Sequence, residues 1–238
     1  MEHDLYNEDC REFLDRGIPY DYVLTSPPDF MEIGLTAKKG LSEYQDFLRS
    51  AYEKFDPRLG VVSIICTDKK KDSRVYTKHI INIQLMESLG WTLISEKLWL
   101  RQLTRNDYEM GYTFILTFSR GKPRQSKHPL YMPDVYHIKR ESGIRKYRHR
   151  HIGLNSFPQE LGERFVLNFT EPGEVVCDPF MGIGGTALAA LAHDRKVVGS
   201  ELDGTTYQFL LDRIEKRPEP TPSSTVFDIF DTKAIAGS

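Results

Sequence analysis

A chain of 238 residues is long enough for one large α/β domain with a small insertion and short for two independent cores. Charged residues make up 28%, no apolar run approaches the roughly 18 residues of a membrane span, and the opening MEHDLYNEDC lacks the basic and apolar regions of a signal peptide, so a cytoplasmic protein is expected. The net charge of -2 gives no sign of a nucleic-acid partner, and Cys10, Cys66 and Cys177 are too few and too far apart for a disulfide framework or a zinc cluster.

Tyr20–Thr25 reads as a short strand that ends abruptly at Ser26-Pro27-Pro28. Tyr44, Phe47, Leu48, Ala51 and Phe55 then recur at helical spacing over 42–56, and after Gly60 the apolar run Val61–Ile65 predicts a buried strand. Ile80–Leu89 predicts another helix; Trp91–Leu100 and Thr113–Ser119 predict two strands that pair as a hairpin at one edge of a sheet. Residues 120–153 show little periodicity and several Gly and Pro, as in a long loop or insertion. An amphipathic helix is expected over Gln159–Phe169, a strand over Glu174–Asp178, a glycine turn over Met181–Gly185, a helix over Thr186–His193 and a strand over Lys196–Glu201. These last elements make a βαβ unit. The Pro-rich 218–238 reads as a flexible tail.

The charge is unevenly spread. From Arg120 to His151 there are ten Lys/Arg against Asp134 and Glu141, a balance of +8 that leaves -10 for the remainder. Such a stretch is as a rule only a solvated surface, but loops of this length are usually functional. Its histidines have no acidic or cysteine partner at metal-ligand spacing, so no metal is expected.

In the βαβ unit, Asp178-Pro179-Phe180-Met181-Gly182-Ile183-Gly184-Gly185-Thr186 ends the first strand and Glu201 ends the second. Glycines let a ligand approach the backbone, and a carboxylate about 20 residues on can accept hydrogen bonds from ribose hydroxyls, which suits an adenosine-containing cofactor. The chain lacks the full G-x-G-x-x-G pattern and any Gly-Lys-Ser/Thr, favouring a methyl donor over NAD or ATP.

DPFMGIGGT is similar to the DPF-x-G-x-G-T-T signature of amino-group DNA methyltransferases, and TSPP resembles their catalytic (D/N/S)PP(Y/F/W) signature. The catalytic signature comes first, as in the circularly permuted beta class, and the resemblance covers nearly all of 4–217. It implies a doubly wound, Rossmann-like α/β methyltransferase sheet, mostly parallel with an antiparallel edge hairpin, over 1–217. It also implies S-adenosyl-L-methionine as cofactor, with Asp9 and Cys10 near the adenine, Glu201 on the ribose, and Asp178, Phe180, Gly182, Gly184 and Thr186 about the amino acid part. Asn155-Ser156-Phe157-Pro158 resembles the segment that supports the methionine end.

An aromatic amino nitrogen is a poor nucleophile, and the Ser26 hydroxyl and Pro27 carbonyl can accept its hydrogens while Pro27 and Pro28 hold the loop rigid. None of the three cysteines follows a proline, which argues against cysteine-nucleophile chemistry at cytosine C5. Where the family has an aromatic residue after the second proline this chain has Asp29 followed by Phe30, leaving two alternatives: Phe30 stacks on the extruded base in its place, or Asp29 hydrogen-bonds the base edge. Serine at the first position resembles the cytosine-N4 members, so cytosine N4 is the expected target and adenine N6 the alternative. A catalytically silent DNA-binding subunit, and a methyltransferase acting on RNA or a protein amide, are the rivals from other classes. Residues 120–153 lie where the family carries target recognition, which makes Lys122, Arg124, Lys127, Lys139, Arg140, Arg145, Lys146, Arg148 and Arg150 candidate DNA contacts. A cognate restriction nuclease is a further possible partner. Cys66-Thr67-Asp68 ends a strand and either lines the pocket or is structural.

Overall fold

The computed structural model describes residues 2–35, 40–71, 73–101, 110–140 and 156–216. Its elements in chain order are β1 (His3–Tyr6), α1 (Cys10–Asp15), β2 (Tyr22–Thr25), α2 (Gly40–Tyr52), β3 (Val61–Cys66), β4 (Lys69–Lys71), β5 (Arg74–Tyr76), α3 (Lys78–Ser88), β6 (Thr92–Leu100), β7 (Tyr112–Ser119), β8 (Val135–Tyr136), α4 (Gln159–Phe169), β9 (Val175–Asp178), α5 (Gly185–Leu191), β10 (Lys196–Ser200) and α6 (Gly204–Glu215).

One eight-stranded sheet has the order β1-β10-β9-β2-β3-β7-β6-β8, and β4 and β5 form a separate hairpin. Strands β1, β10, β9, β2 and β3 run parallel; β7 is antiparallel to both β3 and β6, and β8 is parallel to β6. The β6–β7 hairpin is therefore not the outermost pair. Strand β7 is inserted against β3, and two residues of the 120–153 segment cover the outer side of β6. The described part of that segment, up to residue 140, is accordingly less irregular than its composition suggests: Tyr136 and Ile138 are buried, and the Ile138 carbonyl accepts from Trp99 Nε1 at 2.8 Å.

Both faces of the sheet are covered, and the alternation of side chains along each strand feeds two cores. Val23, Val62, Ile64, Cys177 and Val198 face α1, α2 and α3, with Phe13, Tyr44, Leu48 and Ile81. Tyr22, Leu24, Val61, Ile65, Val176 and Val197 face α4, α5 and α6, with Leu161, Phe165, Leu188 and Leu210. Each fully buried Leu, Ile or Phe of these layers contributes about 1.5–3 kcal/mol, which explains why strands as short as β2, β9 and β10 hold their place. Among the described residues no helix is long and apolar enough to cross a membrane. The 218–238 tail lies outside the described residues.

Candidate active site

The carboxyl ends of β10, β9, β2 and β3 lie side by side, because these four strands are parallel neighbours. In such a sheet the crevice beyond those ends is where ligands are held. The expected adjacency of the Ser-Pro-Pro loop and the glycine turn follows directly: Tyr22 is in register with Val176 and Val23 with Cys177.

Asp178, buried at the end of β9, joins the two loops. It accepts from Thr25 Oγ1 at 2.6 Å, from Thr186 Oγ1 at 2.7 Å and from the Phe180 N–H at 3.0 Å. Thr186 Oγ1 also lies 3.0 Å from the Leu24 carbonyl. Burial pushes the Asp178 carboxyl up to about 6 despite the three donors. Its oxygens are spent on the fold, so Asp178 is a brace between the loops, and Thr186, fully buried, is the other half of that brace.

Beyond Asp178 the turn needs its glycines. Gly182 and Gly184 have φ of +53° and +87°, which side-chain-bearing residues rarely adopt. A Cβ on Gly185 would stand 2.8 Å from the Phe157 carbonyl, so Phe157, buried just before α4, packs directly against the turn. Ser156 is half-buried beside it, and Phe180 is half-buried with its ring 5.9 Å from that of Phe47. Asn155 lies outside the described residues.

Glu201 follows β10 and faces the same turn. Its carboxylate accepts from the Gly182 N–H at 2.8 Å and the Asp203 N–H at 2.9 Å, and burial raises its proton affinity. A carboxylate so held keeps lone pairs for hydroxyl donors. The Asn7 amide donates to the Glu201 and Leu202 carbonyls at 2.8 and 3.1 Å, tying the end of β1 to this corner. Leu202 is 69% exposed there, an apolar side chain in the open beside the Glu201 carboxylate. Asp9 caps α1, accepting from the Arg11 N–H at 2.8 Å, and the Arg11 guanidinium holds its carboxyl below the usual range. Cys10 is buried, and burial pushes its thiol up to about 12; Cys66 is likewise pushed up to about 12, so neither is a nucleophile at neutral pH.

On the Ser-Pro-Pro side, Ser26 and Pro28 are half-buried and Pro27 buried. The Tyr44 hydroxyl donates to the Pro28 carbonyl at 3.0 Å, fixing the loop from α2. Both residues that could take the missing aromatic's place are buried in this arrangement. Phe30 is 1% exposed, with its ring 6.3 Å from Tyr44 and 5.4 Å from Tyr76. Asp29 is buried, with Oδ2 3.3 Å from Lys78 Nζ and 3.8 Å from Lys69 Nζ. Lys78 opens α3, where the helix dipole disfavours a cation, and its side chain is buried as well; Asp29 supplies its compensation.

Next to this pair, at the end of β3, His79 Nδ1 lies 2.7 Å from Asp68 Oδ2 and the ring stacks on Phe114 at 3.9 Å. Arg101 Nη2 donates to Thr67 Oγ1 at 2.5 Å. Asp68 was visible in sequence as a strand-end residue and Tyr44 only as one of the apolar positions of a helix, while Lys78 and His79 carried no signal, since each meets its partner only through the fold.

The candidate DNA contacts divide into two groups. Strand β7 ends at the far edge of the sheet from the Ser-Pro-Pro loop, so Lys122, Arg124 and Lys127 begin there. Arg124 ion-pairs with Glu174 and lies 3.7 Å from Asp21, both preceding strands, and the Lys127 N–H donates to Glu171. These three do not face the crevice. Strand β8 leads Lys139 and Arg140, both exposed, toward the crevice end. Arg145, Lys146, Arg148 and Arg150 lie outside the described residues.

Residues 20–210 match the N6/N4 DNA methylase family. The chain is 40% identical over 236 residues to the type II methyltransferase M.BglII of Bacillus subtilis, covering 84% of this chain and 65% of that one. To M.MjaI of Methanocaldococcus jannaschii it is 27% identical over 169 residues, covering 59% of this chain and 55% of that one, so it spans little more than half of that relative. Among solved structures, a cytosine-N4-specific PvuII DNA methyltransferase superposes with a TM-score of 0.74 at 18% identity, over 100% of this chain and 94% of that one. A putative DNA modification methylase of Thermus thermophilus in complex with S-adenosyl-L-methionine superposes with a TM-score of 0.71 at 23% identity, over 90% and 94%. The family match takes in β2 with its Ser-Pro-Pro loop as well as the turn and carboxylate of β9 and β10, and on that ground the chain belongs to the N6/N4 DNA methylase family.

Proposed function

We propose that the protein transfers a methyl group from S-adenosyl-L-methionine to an exocyclic amino nitrogen in DNA, with cytosine N4 the preferred base, as a member of the permuted beta class. The observation that carries this is the brace from Thr25 through Asp178 to Thr186, which sets the Ser26-Pro27-Pro28 loop beside the glycine turn. The site suits the donor: backbone at Gly182 is open to close approach, Gly184 turns the chain against Leu210, Glu201 keeps lone pairs for hydroxyl donors, and Leu202 offers apolar surface to an adenine ring. When bound, the donor supplies an electrophilic sulfonium methyl.

The chain's own part is positioning. The Ser26 hydroxyl and Pro27 carbonyl accept the amino hydrogens and turn the nitrogen lone pair toward the methyl, while the Tyr44 bond to Pro28 keeps the loop from yielding. Serine rather than aspartate at position 26 supports cytosine N4 over adenine N6. Lys139 and Arg140, and the basic run that follows them in sequence, are the proposed target-recognition contacts.

Purified protein, labelled S-adenosyl-L-methionine and unmethylated DNA, followed by nucleoside mass spectrometry, test this directly. Labelled N4-methyldeoxycytidine is expected, and Ser26→Ala is expected to lower its rate by about 10²–10³-fold, the scale for losing one preorganised transition-state contact. Labelled N6-methyldeoxyadenosine would keep the mechanism and reverse the base; donor binding without label in DNA would refute the activity.

A further inference from the structure

The β4–β5 hairpin is a basic projection beside the catalytic loop that the sheet does not need. It follows β3 after two residues and bears Lys69, Lys70, Lys71 and Arg74 within eight positions. A two-stranded hairpin of three residues a side is not stable alone. This one is pinned at its base, where Tyr76 is buried against Phe30 and Lys69 approaches Asp29. Away from that base its character changes. Lys70 and Arg74 are exposed, and Val75, the register partner of Lys70, is 53% exposed. A projecting basic surface of this kind suits a polyanion.

Placement adds to the argument. The hairpin springs from β3, next to β2 and its Ser-Pro-Pro loop, whereas Lys139 and Arg140 spring from β8, three strands further along the same sheet. Three strand spacings are about 14 Å, comparable to the roughly 12 Å width of a DNA major groove. Two basic elements so separated can meet backbone on either side of one groove.

Resting on the reading of the protein as a DNA methyltransferase, we propose that the β4–β5 hairpin is a second DNA-backbone contact, Lys70 and Arg74 meeting phosphates next to the target base. Because Tyr76 and Lys69 join the hairpin to Phe30 and Asp29, the same contact seats the duplex against the catalytic loop.

The test is equilibrium binding of the whole protein to unmethylated duplex DNA fragments over a series of NaCl concentrations. Lys70→Ala/Arg74→Ala is expected to weaken binding roughly tenfold at moderate salt and to reduce the slope of log K against log salt by about 1.8, or 0.9 for each phosphate no longer neutralised. Lys70→Arg/Arg74→Lys is expected to restore both, and thermal stability and S-adenosyl-L-methionine binding are expected to stay at wild-type values in both variants. Lys122→Ala/Lys127→Ala, at the opposite end of the sheet, removes the same charge and is expected to leave the slope unchanged. An unaltered slope in the hairpin variant, or an equal loss in the Lys122/Lys127 variant, would overturn the proposal. Failure of the methyltransferase reading would look different: wild-type protein would put no label into DNA, whatever the salt dependence of its binding.

Discussion

Asp178 carries a charge into the interior, and that has a thermodynamic sign. Its folded carboxyl titrates near 6, above the ordinary value of 3.8, because burial outweighs the hydrogen bonds from Thr25, Thr186 and Phe180. The native state therefore binds the proton more tightly than the unfolded chain, and this group favours folding below pH 4 and loses that contribution as pH rises through 6. The difference is of the order of 3 kcal/mol. Asp178→Asn, which keeps an acceptor for Phe180, is expected to gain stability relative to wild type on going from pH 4 to pH 7.5. Urea unfolding of both proteins across that range measures it, and a pH-independent difference would contradict the assignment. The Asp29–Lys78 pair makes the opposite case: both side chains are buried, so Asp29→Asn leaves a cation uncompensated and is expected to cost about 3 kcal/mol. Asp29→Asn/Lys78→Met is expected to recover most of that, and denaturant midpoints of the single and double variants decide it. The places of Ser26 and the glycines were legible in sequence because they sit in contiguous motifs, and that of Glu201 because it ends the next strand. Asp29 was legible only as an anomaly, since Lys78 lies 49 residues away and nothing in the sequence pairs them.

At the scale of elements, the legible parts were those long enough to show a period. Helix α4 follows its amphipathic pattern from Gln159 to Phe169, and the inner parallel strands β2, β3 and β9 announce themselves as apolar runs. Strands β1, β4, β5 and β8 were not legible, being two to four residues long and half-exposed or polar. Helix α6 buries only Leu210 and Ile214, too narrow a stripe to stand out. Close packing between elements was equally hidden. Strand β10 lies so near the end of β9 that a Cβ on Gly199 would stand 2.2 Å from the Asp178 carbonyl and 2.4 Å from Met181 Cε. Backbone cannot give way there without disturbing the turn that follows. Gly199→Ala is therefore expected to cost about 3 kcal/mol or more, a fall in Tm of roughly 6–12 °C for a domain of this size. It is also expected to weaken S-adenosyl-L-methionine binding; calorimetry of the variant would reveal both, and a wild-type Tm would mean the strands are not so tightly apposed.

Across the whole molecule, the groups proposed to act are ranked along one edge of the sheet in strand order: Glu201 after β10, the glycine turn after β9, Ser-Pro-Pro after β2, the basic hairpin after β3, and Lys139 and Arg140 after β8. Composition revealed the cationic segment but not its division, because only the antiparallel course of β7 sends Lys122, Arg124 and Lys127 to the far end. The Asn7 bond to the Glu201 carbonyl, spanning 194 residues, has a bearing on how the chain comes to be folded. Strand β1 has β10 as its neighbour in the sheet, so among the described strands one that is synthesised early must wait for one that comes late before it can pair. Closing so large a loop slows assembly. During translation the Ser-Pro-Pro half can collapse early around β2, β3 and α2, whereas the corner formed by Asn7, Glu201 and Leu202 is completed only after β10 has left the ribosome. A nascent chain would thus complete its Ser-Pro-Pro side before its Glu201 side, with β1 an unsatisfied edge exposed to mispairing in the interval.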